Sequence, residues 1–147
     1  MSSGPFQERA SKSSTSSPSL GEARRAELTL RPEPASVPQA RRFVASLDFA
    51  SGSDQEKLAL LTAEIVTNAI LHGRTALRLE AIEVPDGIRV SVTDGNANPP
   101  VVKNYGPSSP TGRGLRIVES MADRWGFDEV GSGKTVWFEL ARVEVER

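Results

Sequence analysis

Residues 58–73 read Leu58-Ala59-Leu60-Leu61-Thr62-Ala63-Glu64-Ile65-Val66-Thr67-Asn68-Ala69-Ile70-Leu71-His72-Gly73, and this stretch predicts the helix around which the chain is organised. Ser53-Asp54-Gln55-Glu56 ahead of it fits a capping box, with the Ser53 hydroxyl serving one orphan N–H and Glu56 reaching back. Gly73 suits the left-handed residue that ends a helix. At about 100° per residue, Leu58, Leu61, Ile65, Val66 and Ala69 form the main apolar arc. Leu60 and Leu71 make a second apolar patch, and Glu64, Asn68 and His72 run between the two at i, i+4 and i+8. A carboxylate and an amide in that position are costly to bury without partners. The row reads either as a solvated stripe or as a polar wall facing a ligand cavity. In the second case a carboxylate and an amide oxygen suit a hard cation such as Mg²⁺.

The rest of the composition narrows the class. A chain of 147 residues suits one domain with a real core. Formal net charge is −1 with Lys and Arg scattered, so no footprint for direct nucleic-acid binding appears. There is no Cys, which excludes a disulfide framework and a thiolate metal site. The N-terminus lacks the apolar region of a signal peptide, and no apolar run is long enough to span a bilayer. The expectation is a soluble cytoplasmic protein with no membrane partner.

Residues 1–23 read as a disordered Ser-rich tail, since Ser11 to Ser19 has almost nothing to bury against the entropy of ordering. Residues 24–147 form the expected domain. Glu27 to Arg31 alternates as a short strand ended by Pro32 and Pro34. Ser36 with Gln39 resembles a helix start, with Val37, Ala40, Phe43, Val44 and Leu47 as the apolar face. Asp48 to Gly52 is an expected loop. Beyond the organising helix, Ala76–Val84 and Ile88–Asp94 read as strands joined by the turn signal Pro85-Asp86-Gly87.

The parity of the second of these strands is informative. Ile88, Val90, Val92 and Asp94 share one face, so Asp94 ends the strand on its buried side. A carboxylate there needs a donor, and a ligand amine is one candidate. Gly95 to Thr111 is a long Pro-rich segment without periodicity, of the kind that is functional or disordered. It leads through Thr111-Gly112-Arg113-Gly114 into a helix with Leu115, Val118, Met121, Ala122 and Trp125 on one face. A glycine turn opening a helix is a good phosphate seat, though it is also an ordinary way to enter a helix. A strand from Trp125 to Val130 and another from Lys134 to about Val143 close the chain, joined by Gly131-Ser132-Gly133. Gly133-Lys134-Thr135 is not a P-loop: the first glycine of that motif falls on Asp128, and a strand follows instead of a helix.

Taken in order, Glu64-x-x-x-Asn68-x-x-x-His72, Asp94-Gly95, Gly112-x-Gly114 and Gly131-x-Gly133-Lys134-Thr135 closely resemble the N, G1, G2 and G3 boxes of GHKL (Bergerat-fold) ATPases. Among these the chain is most similar to the small anti-sigma-factor serine kinases. The resemblance implies a two-layer α/β sandwich, a mixed and mainly antiparallel sheet with helices on one face. It implies ATP and Mg²⁺ as cofactors, with Asn68 as the metal ligand and Glu64 as the general base. Asp94 and Gly95 would hold the adenine, with Asp94 accepting from its exocyclic amine. Gly112, Arg113, Gly114 and Leu115 would line the phosphates, and Gly131, Gly133 and Thr135 would close the adenine side. The family often has a glycine two residues after the aspartate, where this chain has Asn96.

The function so implied is an ATP-dependent serine kinase that sequesters a sigma factor and phosphorylates an anti-anti-sigma (STAS) protein. Homodimerisation is implied by the resemblance alone. The alternative is a nucleotide-dependent binding module that holds a partner without phosphorylating it. A sensor histidine kinase fragment is disfavoured, because the one histidine, His72, falls in the nucleotide site.

Overall fold

The computed structural model describes residues 23–73, 75–95, 110–131 and 133–143. The Ser-rich tail therefore lies, but for Ala23, outside the described residues, as do residues 96–109 of the Pro-rich segment. Five strands are described: β1 (Arg25–Leu30), β2 (Leu77–Val84), β3 (Gly87–Asp94), β4 (Arg124–Val130) and β5 (Gly133–Ala141). The helices are α1 (Ser36–Ala45), α2 (Gln55–Gly73) and α3 (Pro110–Met121), with a short 3-10 turn at Asp48–Ala50. The sheet order is β1-β2-β3-β5-β4. Every pairing among the described residues is antiparallel, so the sheet is not the mixed one expected, while the α/β layering holds.

Period-two alternation builds the layer boundary. Leu79, Val92 and Val136 face one another across β2, β3 and β5, as do Ala81, Val90 and Phe138. All six are buried in one core with Leu58, Leu61, Ile65, Val66 and Ala69 of α2 and Val44 of α1. The main arc of α2 is thus the face that meets the sheet. Its second patch is not buried: Leu60 is 36% and Leu71 48% exposed. The opposite face of the sheet is covered by its own polar side chains, including the ion pairs Arg25–Glu80 at 3.1 Å and Arg89–Glu139 at 2.8 Å. The Arg89 guanidinium also stacks 4.0 Å over the Trp137 ring.

Several helix ends differ from expectation for local reasons. Ser36 does not cap α1: its hydroxyl donates to the Arg31 carbonyl at 2.7 Å. The turn before it already supplies acceptors, Glu33 O for Ser36 N–H and Pro34 O for Val37 N–H. On α2 the cap is Asp54 rather than Ser53, with the Lys57 N–H donating to Asp54 Oδ1 at 3.0 Å. Ser53 is drawn into the preceding turn, its N–H donating to Ala50 O and its carbonyl accepting from Gln55 Nε2. The helix α3 begins at Pro110, so Thr111 to Gly114 form its first turn instead of a loop before it. Trp125, expected both on that helical face and at the head of the strand that follows, belongs to β4.

Candidate functional site

Three local features bring the polar groups to one end of the sandwich. The strand β3 ends at Asp94, whose cross-strand partner is Lys134, the second residue of β5. The Gly95 N–H donates to Thr75 Oγ1 at 2.8 Å, tying the exit of β3 to the segment just after α2. That bond also brings the C-terminal end of α2, which carries His72, toward the same place. Burial, and after it the Lys134 ammonium, hold His72 below its ordinary pKa, with Asp94 opposing them.

Asn68 lies one turn of α2 before His72 and is 1% exposed. Neither its Oδ1 nor its Nδ2 has a hydrogen-bond partner among the described residues. Leaving one buried polar group unsatisfied costs about 1–3 kcal/mol, so such a residue calls for an explanation. Glu64, another turn earlier, is half-buried and has polar interactions of its own. The i, i+4, i+8 row is therefore a graded wall between the core arc and the exposed Leu60–Leu71 patch, and not a fully solvated stripe.

The donor that Asp94 requires is supplied from within the protein. Lys134 Nζ donates to Asp94 Oδ2 at 3.2 Å and lies 3.5 Å from Oδ1, and each side chain is 1% exposed. Sequence reasoning gave Lys134 no role, although the signal was available. Lys134 shares the parity of Val136, Phe138 and Leu140, which face the core. Thr135 is out of phase with them. Its hydroxyl meets Thr93 Oγ1 at 2.7 Å on the opposite face of the sheet, away from Asp94, so its side chain does not line this site.

The glycines of the final hairpin have separate reasons. Gly131 turns the chain with φ 59°, a left-handed value that few other residues adopt. Gly133 lies against β3 so closely that a Cβ there would collide with the Asp94 carbonyl oxygen. Gly112, Arg113 and Gly114 lie in the first turn of α3. Leu115 is completely buried in the core, so only its backbone is available to a ligand.

A nucleotide-bound Mg²⁺ can be tested against these residues. The amide oxygen of Asn68 is a hard donor with no partner among the described residues, which fits. Among the described residues no group of three or more His, Cys, Asp or Glu could hold a metal. A cation here would thus take one protein ligand and complete its shell from phosphate and water, as Mg²⁺ commonly does. Among the described residues no helix is long and apolar enough to cross a membrane.

Comparison with known proteins bears on the same region. No curated protein matches the chain. Among solved structures, the RsbU and RsbW domains of Rv1364c from Mycobacterium tuberculosis align with a TM-score of 0.61 at 19% identity. The alignment covers 84% of this chain but 34% of that one, so the chain spans about a third of its length. At that identity the likeness speaks for the fold. The histidine kinase-like ATPase domain matches residues 30–140, from the end of β1 to the end of β5, and takes in every element that forms the site. The protein belongs to the histidine kinase-like ATPase family, with ATP as the nucleotide that its domain implies.

Proposed function

We propose that this domain is an ATP-dependent protein serine kinase acting as an anti-sigma factor. In this reading it phosphorylates a serine of an anti-anti-sigma (STAS) protein and sequesters a sigma factor. The observation that carries a ligand-dependent site is Asn68, buried with both amide atoms unpartnered among the described residues. Its Oδ1 would hold Mg²⁺. When bound, that ion neutralises phosphate charge and orients the transferred group. Glu64 would take the proton of the attacking serine hydroxyl, Asp94 would accept from the adenine amine, and the first turn of α3 would approach the phosphates.

The choice of a protein substrate is supported by the resemblance of the N, G1, G2 and G3 boxes and by the surface beside Glu64. Leu60 and Leu71 are exposed on the same side of α2, four residues before and seven after it, which gives a macromolecular substrate an apolar footing next to the base. Homodimerisation belongs to this proposal too, as does activity without direct nucleic-acid contact.

Calorimetric titration with ATP, with and without Mg²⁺, tests the site, and phosphate transfer to a STAS protein tests the chemistry. Glu64→Gln is expected to keep nucleotide affinity and to slow transfer by about 10²–10⁴-fold, the usual contribution of a general base. Unaltered transfer in that variant would remove Glu64 as the base. Mg²⁺-sensitive binding with no transfer to any STAS protein would leave a nucleotide-dependent binding module.

A further inference from the structure

Arg124-Trp125-Gly126-Phe127-Asp128 is complementary to its own reverse about Gly126. The stretch lies in β4, the last strand of the sheet, which pairs among the described residues only with β5. Its outer edge therefore carries N–H and C=O groups that no neighbouring strand takes up. Such edges are commonly blunted by proline, a bulge or short length. β4 runs seven residues with no proline, and its register advances one for one from Arg124↔Glu139 to Val130↔Gly133. It also holds Phe127, the only aromatic among the exposed large hydrophobic residues described, at 42% exposure.

Antiparallel pairing with a second copy keeps the two faces of the sheet together only where facing residues share parity. The register centred on Gly126 sets Arg124 opposite Asp128 of the other copy, and Trp125 opposite Phe127, each twice over. Centring on Trp125 or Phe127 instead leaves Arg124 facing Gly126 or Val130, with no carboxylate. The Arg124 side chain is 71% exposed, with a 3.4 Å contact to Glu139. Asp128, half-buried on the same face, has no ion-pair partner among the described residues. Glu129 would face Asp123, just outside the strand, whose carboxylate is turned back to the Ala141 N–H at 2.7 Å. At the centre, the Trp137 ring fills the place that a side chain on Gly126 would take. The other edge strand, β1, is less suited, because Glu80 ties Arg25 into its own sheet at 3.1 Å with 22% exposure.

We infer that β4 is the surface on which two copies of this chain associate, edge to edge, joining their sheets into one. This rests on the homodimerisation included in the function proposed above, and it names the surface. Asp94 lies near the Val130 end of β4, across β5, so the two-fold pairing sends the two candidate sites to opposite ends of the joined sheet.

Sedimentation equilibrium of the full chain tests this. Arg124→Asp sets carboxylates opposite one another in two places and should weaken self-association about 10- to 100-fold. Asp128→Arg should do the same with paired guanidinium groups, and the double exchange should restore the wild-type dimer. A purely intramolecular role for Arg124 predicts no such rescue. A dimer that none of these changes affects overturns the assignment to β4 and leaves homodimerisation standing. A wild-type chain that stays monomeric at its highest soluble concentration overturns both, while the ATP titration judges the nucleotide site separately. If a variant does not fold, amide hydrogen exchange of the wild type decides. Protection that rises with protein concentration is expected on alternate residues of β4, and a dimer without it refutes the inference.

Discussion

Replacing Asn68 by Ala should make the ligand-free domain more stable, not less. A buried asparagine normally loses stability on truncation, because its hydrogen bonds go with it. Here the side chain is 1% exposed and neither amide atom has a partner among the described residues, so truncation is expected to remove a penalty. Relief of an unsatisfied buried amide is worth about 1–3 kcal/mol. The change also favours the helix by about 0.5 kcal/mol, since Ala exceeds Asn in propensity. Against these stands the small void left by three heavy atoms, costing about 1 kcal/mol. The net expectation is a gain of about 0.5–2.5 kcal/mol, or a rise in Tm of about 2–10 °C.

Mg²⁺ and ATP should reverse the order. A ligand at 100 times its Kd stabilises the native state by about 2.7 kcal/mol, and the variant without Oδ1 should forgo most of this. Urea unfolding of both proteins, with and without Mg²⁺–ATP, therefore gives curves that exchange places. Destabilisation of ligand-free Asn68→Ala by more than about 1 kcal/mol would show that the amide has partners. Equal stabilisation of both proteins by Mg²⁺–ATP would remove Asn68 as a ligand.

Other consequences can be read by the same methods. Lys134→Met should cost about 3–5 kcal/mol in urea unfolding, because it strips a buried carboxylate of its cationic partner. Adding Asp94→Asn should recover much of that loss, and a single variant as stable as the wild type would refute the account of the pair. Because His72 resists protonation in the folded state, the unfolded chain takes up that proton first as pH falls. Stability should then decline as pH drops below the ordinary histidine value of 6.5, and His72→Gln should flatten this part of the profile. An unchanged profile in His72→Gln would show that the imidazole is not held neutral. Asp54→Ala should cost about 1 kcal/mol as the loss of a helix cap, measured by thermal unfolding, and no change would return the cap to Ser53.

Much of the fold was legible in the chain because its elements are strongly periodic. The arc Leu58, Leu61, Ile65, Val66 and Ala69 packs on the sheet as its spacing implies. The alternation of Ile88, Val90, Val92 and Asp94 fixed which face each occupies. The helix ends were less legible. A cap depends on which neighbouring carbonyls are already in use, and that is why Asp54 displaced Ser53 and why Ser36 turned back to Arg31.

By itself the sequence determined the strands, the helices, the polar row on α2 and the order of the four glycine- and acid-bearing motifs, since these rest on local periodicity and turn chemistry. It also held the phase that sets Lys134 inward and Thr135 outward. Only the tertiary structure decided that Lys134 meets Asp94, because their contact spans forty residues and exists only once β5 inserts between β3 and β4. The same holds for Asn68. Its spacing marked it as polar on a half-apolar helix, but whether it met water, a protein partner or neither depended on what α2 was packed against.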